Sequence, residues 1–200
     1  DHPRLKPADM RAYTLSRWLE AHPKWGQSTR STRGSDVKIW SAFLDREGYL
    51  DGDRLRSARM PGAKKRDAAD PAELLKLEAA ITDQAFLDFY RVCYDTGCRP
   101  GEAASLEAQN LNLKKSTAIV SGKRGLRVIG LTPRAMRVLE RLSEVYPQGP
   151  LLRTTRGALW TAYTLSVRFK KWCDVAGVQP ITAYHLRHDL YRRWHAAGIS

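Results

Sequence analysis

Apolar residues recur along most of this chain at intervals of three and four, the spacing of one helix face, and strand-like alternation is confined to one short stretch. Between Pro7 and Ala21, Met10, Tyr13, Leu15, Trp18 and Leu19 predict a helix. A second is predicted from Ser28 to just before Gly48, with Val37, Trp40, Phe43 and Leu44 as its apolar stripe. The periodicity then stops. Residues 57–70, SARMPGAKKRDAAD, hold Pro, Gly, Ala and the cluster Lys64-Lys65-Arg66, which reads as an exposed basic linker. The expected organisation is a small helical segment over 1–56, the linker over 57–70, and a larger domain over 71–200.

In the larger part, Asp70-Pro71 is an N-cap and first-turn pair, followed by Leu74, Leu75, Leu77 and Ile81 as a helix face. The next helix starts from Asp83, carries Phe86, Leu87, Phe89, Tyr90 and Cys93, and has Gly97 placed to end it. Pro100 suits the first turn of a further helix running to Leu106. Thr117 to Val120 and Leu126 to Leu131, joined by Ser-Gly-Lys-Arg-Gly at 121–125, predict a hairpin. Thr132-Pro133 then caps a helix with Met136, Leu139 and Leu142 inward and Arg134, Arg137 and Arg141 outward. Two more helices are predicted, from Thr161 to Ala176 before Gly177 and from Ala183 to Ala197 before Gly198. The fold class is therefore mainly α with one small antiparallel sheet (α+β).

Charge changes the picture. The 200 residues carry a formal net charge of +13, with 34 Lys and Arg against 21 Asp and Glu, and 23 of the basic residues are Arg. Such an excess favours a polyanionic partner, and the bias to Arg favours phosphate, which a guanidinium grips through two parallel hydrogen bonds. Three cysteines, Cys93, Cys98 and Cys173, form no Cys-x-x-Cys pair, which argues against a disulfide framework or a zinc site and fits a reducing cytoplasm. No apolar run approaches membrane-spanning length, so no membrane partner is expected. The six Trp read mainly as core: Trp18 and Trp40 fall on apolar stripes, and Trp172 and Trp194 lie in amphipathic helices.

Within this pattern three cations stand where chemistry could use them. Arg99 follows a helix-ending glycine, Lys123 lies on the hairpin turn, and Arg187 sits in YHLRHD early in the last helix. Two guanidiniums can hold the non-bridging oxygens of a phosphodiester and neutralise charge that grows on them in a pentacovalent transition state. An ammonium on a hairpin can protonate a departing 5′ oxygen, so neither metal nor cofactor is needed. Each residue also has an ordinary use: Arg99 as a cap for carbonyls at the end of the preceding helix, Lys123 as a solvated turn charge.

TGCRPGEAASLE (96–107), GKRGLRVIGLTP (122–133), RGALWT (156–161) and ITAYHLRHDL (181–190) follow one another in an order and spacing that resembles the tyrosine recombinase, or phage integrase, family. The resemblance covers most of residues 70–200. It implies that Arg99 and Arg187 are the two catalytic arginines, that Glu102 is the acidic residue supporting the first of them, that Lys123 is the general acid, and that His188 is the residue often found directly after the second arginine. It implies further that the helices over 1–56 are the tail of the family's core-binding domain. The partner it implies is double-stranded DNA, bound in the full-length protein as a homotetramer. The reaction implied is site-specific recombination or integration of a mobile element, by strand cleavage and rejoining through a 3′-phosphotyrosyl intermediate.

Two departures from the family pattern are visible. Tyr184 stands where the family's box most often has His, so it can hydrogen-bond a phosphate oxygen but is a weaker candidate for proton transfer. His185 falls one position later, off that helical face, and His195 reads as an ordinary partly buried histidine. The family's tyrosine nucleophile is expected beyond Ser200, which makes this stretch a duplex binder that forms no covalent adduct by itself; Tyr191, one turn after Arg187, is poorly placed to attack a phosphate held by that arginine. Arg134, Arg137, Arg141, Arg153, Arg156, Lys170, Lys171, Lys64 and Lys65 form the candidate DNA-binding surface. A non-enzymatic DNA-binding protein or integrase relic would use the same basic face, whereas an RNA-binding module would want a platform of paired aromatics on a sheet, which the pattern lacks.

Overall fold

The computed structural model describes residues 6–60, 62, 69–122 and 125–199. The chain forms two compact units, Asp1–Arg66 and Asp67–Ser200.

In the first unit a 3-10 turn, Pro7–Asp9, precedes α1 (Ala12–Glu20) and α2 (Gln27–Arg46). The single helix predicted from Pro7 is interrupted because Met10 and Arg11 are extended. That break folds Met10 back onto a small core of Leu15, Leu19, Leu55 and Ala58. The α2 helix keeps Val37 and Leu44 of its expected stripe inward but not Trp40 and Phe43. Its buried residues are Gly34, Ser41 and Leu44, while Trp40 and Phe43 remain 45% and 43% exposed. Ser41 Oγ donates to Asp53 Oδ1 at 2.6 Å, turning the helix face that carries small residues towards the unit's own loop. Ala58 and Met60, within the stretch expected as linker, pack on this core, and Lys38 Nζ donates to the Ala58 carbonyl at 2.7 Å.

The second unit contains α3 (Pro71–Ala80), α4 (Gln84–Thr96), α5 (Pro100–Ala104), β1 (Leu111–Asn112), β2 (Thr117–Gly122), β3 (Gly125–Gly130), α6 (Pro133–Val145), α7 (Ala162–Ala176) and α8 (Ala183–Ala196). The fold is mainly helical with a three-stranded antiparallel sheet in the order β1-β2-β3. Its caps are local. Asp70 accepts from the Ala72 N–H at 3.0 Å, Asp83 from Phe86 at 3.3 Å, and Thr132 from Ala135 at 3.1 Å, each satisfying an orphan donor of a first turn.

The core is built around α4, which packs against α6 and α8, while α3 packs against α7. Phe86, Phe89, Tyr90, Val92 and Cys93 are completely buried, and each such large side chain contributes about 1.5–3 kcal/mol through burial. Tyr90 brings its hydroxyl inside by donating to the Leu74 carbonyl at 2.8 Å. On the hairpin, Ala118, Val120 and Ile129 face this core, and Ile119 and Val128 face outward, as the two-residue strand period requires. Trp160 and Trp172 are core residues; Trp194 and Trp40 are not. Among the described residues no helix is long and apolar enough to cross a membrane.

Candidate nucleic-acid site

Gly97 closes α4 in the left-handed conformation (φ 60°), its N–H bonded to the Cys93 carbonyl at 2.9 Å. Two residues later the backbone is extended at Arg99, the N-cap of α5, and Pro100 occupies the first helical position. Arg99 thus projects from a short junction whose dihedrals are restricted on both sides. Glu102, in the first turn of α5, completes the local structure. Its Oε2 accepts the Arg99 N–H at 2.7 Å, and its Oε1 accepts from Arg99 Nη1 at 2.7 Å. Arg127, on β3, donates from Nη2 to Glu102 Oε2 at 2.6 Å.

The Glu102 side chain is only 2% exposed. Burial pushes its carboxyl up, but hydrogen bonds from Arg127 and from both the backbone and side chain of Arg99 outweigh that and hold it down to about 2. The same carboxylate raises the Arg99 pKa, so this guanidinium is fixed as a cation.

Arg187 arrives from α8. Its Nη1 donates to the Gly97 carbonyl, its Nη2 donates to the Tyr191 hydroxyl, and its guanidinium lies 4.8 Å from the Tyr191 ring centroid. Tyr184 and Tyr191 are close enough to Arg99 for their phenols to act on it electrostatically. Tyr184, Arg187 and Tyr191 share one face of α8, and both phenols are about half-exposed, at 49% and 45%. The structure therefore brings Arg99, Glu102, Tyr184 and Arg187 to one place. His188 is exposed and next in sequence. His185 has a different job: its Nδ1 accepts the Thr182 N–H at 2.9 Å and closes the first turn of its own helix. Lys123 lies outside the described residues, as do Lys64 and Lys65; β2 and β3 pair up to Gly122 and Gly125, directly on either side of residues 123 and 124.

The arginines expected on a DNA-binding stripe divide. Arg134 binds Asp95 Oδ1 at 2.6 Å and Glu78 Oε1 at 2.9 Å, and it lies 5.5 Å from the Tyr94 ring. Arg141 pairs with nearly buried Asp88 at 2.6 Å. Arg153 donates to the Pro150 and Gln148 carbonyls and stacks 4.3 Å from the Tyr146 centroid. Arg137 and Arg156 are exposed. The first three guanidiniums are therefore committed to their own fold: Arg134 and Arg141 through carboxylates that lie 39 and more residues away and leave no local sequence signal, and Arg153 through carbonyls three and five residues before it. Arg127 and Tyr191 are the neighbours of the site that pattern reasoning did not assign. Arg127 could have been suspected from its position on β3 opposite Val120, one strand over from a motif glycine. Among the described residues no group of three His, Cys, Asp or Glu side chains could hold a metal ion.

A mainly helical domain in which one arginine, Arg187, bonds the helix junction that carries another, Arg99, beside an antiparallel hairpin, defines a class that sequence comparison makes specific. The phage integrase family profile matches residues 71–200, and the chain belongs to that family. The curated proteins contain no significant sequence match to it. Among solved structures, it is similar to a lambda integrase dimer bound to a COC′ core site, with a TM-score of 0.80 at 17% identity over 98% of this chain and 77% of that one. The Tn1549 transposon integrase in complex with transposon right end DNA gives a TM-score of 0.80 at 14% identity, over 98% and 76%. A lambda integrase tetramer bound to a Holliday junction gives 0.76 at 17%, over 94% and 60%.

Proposed function

We propose that this chain is the DNA-binding and catalytic part of a tyrosine-type site-specific recombinase, acting on duplex DNA by strand cleavage and rejoining. The observation that carries the reading is the meeting of Arg187 with the carbonyl of Gly97, two residues before Arg99, which brings Arg187 from a distant part of the chain to the junction that carries Arg99. Paired forks of this kind suit the two non-bridging oxygens of one phosphodiester and gain most when its charge grows in the transition state. Tyr184 would donate a hydrogen bond to the same phosphate, and Lys123, from the hairpin, would protonate the departing 5′ oxygen. Metal and cofactor have no assigned step in this scheme.

We assign the nucleophile to a tyrosine outside residues 1–200. Tyr191 is attached one helical turn from Arg187 and bonded to it, so a phosphate held by that guanidinium would meet the phenol from the side and not in line with the leaving oxygen. The first unit would be part of the family's core-binding domain. Four copies on a Holliday junction, in the cytoplasm, complete the proposal; the tetrameric lambda integrase structure supports the stoichiometry by analogy of fold.

Fluorescence anisotropy with a labelled duplex tests binding by residues 1–200, and cleavage of a nicked substrate by the whole recombinase tests chemistry. Binding should fall steeply with salt and persist in Arg187→Ala, while cleavage by that variant should drop about 100-fold or more. Cleavage at the unsubstituted rate in Arg187→Ala, or absence of duplex binding at low salt, would overturn the assignment. Binding with no covalent adduct from the whole protein would leave a non-enzymatic DNA binder.

A further inference from the structure

Arg99 is 39% exposed at its side chain and belongs to a residue type with many rotamers, so something must aim it before a phosphate arrives. Glu102 does this directly, yet Glu102 is a buried carboxylate that itself needs to be held. Its Oε1 takes Arg99 Nη1, and its Oε2 takes both the Arg99 N–H and Arg127 Nη2. At 2% exposure, water cannot readily stand in for a lost partner.

We propose that Arg127 is a positioning residue of the phosphate site: from β3 it pins the second oxygen of Glu102, and Gly122 is the gap in β2 that admits this carboxylate between Arg99 and Arg127. The proposal rests on the reading of Arg99 as a phosphate-holding group. It makes Glu102 a clamp with two cationic jaws on different elements, one at the N-terminus of α5 and one on the hairpin. Gly122 supports it independently. A Cβ added there would lie 2.5 Å from Glu102 Oε1 and 3.6 Å from Arg99 Nη1, and Gly122 is not in the left-handed region. What the position demands is space for the carboxylate, since the backbone itself would accept alanine. The clamp also fastens β3 of the hairpin to α5.

Removing Arg127 leaves the buried carboxylate with one compensating cation. It must then take up a proton or turn towards solvent, and either change releases Arg99 Nη1. The groups facing Glu102 are Arg99 from the α5 junction, Arg127 from β3, and the buried thiols of Cys93 and Cys98 from the end of α4 and the loop after it. Neither thiol supplies positive charge, so neither replaces Arg127.

Nuclear magnetic resonance on residues 1–200 separates this from a merely structural role. The Glu102 carboxyl carbon is followed through a pH titration, and the Nη signals of Arg99 report whether its guanidinium is held or rotates. In the unsubstituted chain Glu102 should titrate near 2, with separate, slowly exchanging Arg99 Nη signals. In Arg127→Met the titration should rise above the ordinary 4.5 and the Arg99 signals should merge. Arg127→Lys, which keeps the charge but loses the fork, should titrate between the two, and it decides the matter if the Met variant does not fold. Gly122→Ala should also raise the Glu102 titration and merge the Arg99 signals while the strand amides keep their register. A Glu102 titration still near 2 in Arg127→Met or in Gly122→Ala, or Arg99 signals unchanged in both, would overturn the proposal. Duplex binding by the unsubstituted chain is measured in parallel: its absence with an intact clamp would remove the proposed function and leave the clamp, whereas binding with an unchanged titration would do the reverse.

Discussion

Gly97 sits where backbone conformation, core packing and the arginine site meet, and replacing it with alanine separates their contributions. The left-handed backbone at φ 60° costs a residue with a Cβ about 1–2 kcal/mol. The new Cβ would also stand 2.5 Å from Leu190 Cδ2, and Leu190 is 5% exposed with no open side to retreat to, so its displacement adds about 1–3 kcal/mol. The expected total is about 2–5 kcal/mol. Leu190→Ala alone should cost about 2–4 kcal/mol, because it empties a packed site. In that background Gly97→Ala should cost only the backbone share, since the Leu190 Cβ, at 3.5 Å, is in ordinary contact. A double-mutant cycle should therefore return a coupling of about 1–3 kcal/mol. Urea unfolding read from amide signals of the second unit is the suitable assay, because a chain of two units need not unfold in one step. The Gly97 carbonyl also receives Arg187, so the single variant should lose cleavage in the whole recombinase more than its stability loss explains. Additive costs, or a Gly97→Ala penalty under about 0.5 kcal/mol, would refute the packing argument.

Arg134→Ala should destabilise the second unit by about 1–3 kcal/mol, because it leaves Asp95, 8% exposed, with the Thr132 hydroxyl and Glu78, 13% exposed, with Arg91 alone, whereas Arg137→Ala, three residues on, should change stability by no more than about 0.5 kcal/mol and weaken duplex binding instead; thermal unfolding and anisotropy that ranked the two the other way would count against the division of the arginines drawn above. Glu102 gives an acid dependence with a definite sign. Its folded pKa lies below the unfolded value, so its stabilisation is complete above 4.5 and is lost as pH falls towards about 2, amounting to about 3 kcal/mol. Glu102→Gln should flatten that part of the stability profile, and an unchanged acid slope in the variant would show that other carboxylates carry it.

Much of the second unit is legible in the sequence because its signals are local. Asp70, Asp83 and Thr132 cap the helices that follow them, Gly97 and Gly177 end α4 and α7, and the alternation from Thr117 to Leu131 forms the hairpin. A cap is a contact between residues two or three positions apart, so the chain needs no partner to express it. The motifs carrying Arg99, Glu102 and Arg187 are legible for the same reason: each sits at a helix boundary or early in a helix, where spacing and glycine, proline or acidic neighbours mark the place.

What the chain alone left open depends on residues far apart along it. Arg134 and Arg137 have the same charge and the same amphipathic helix, yet one meets Asp95 across the core and the other meets solvent. Trp40, Phe43 and Leu44 all satisfy helical periodicity, yet the approach of the segment after α2 turns Ser41 inward beside Leu44 and leaves Trp40 and Phe43 partly exposed. Arg127 reaches Glu102 across 25 residues only because the hairpin lies against α5. Periodicity states which side chains prefer to leave water, and capping states where helices begin and end. Which cation finds a carboxylate, and which is left for a phosphate, is decided by contacts that exist only once the elements have packed.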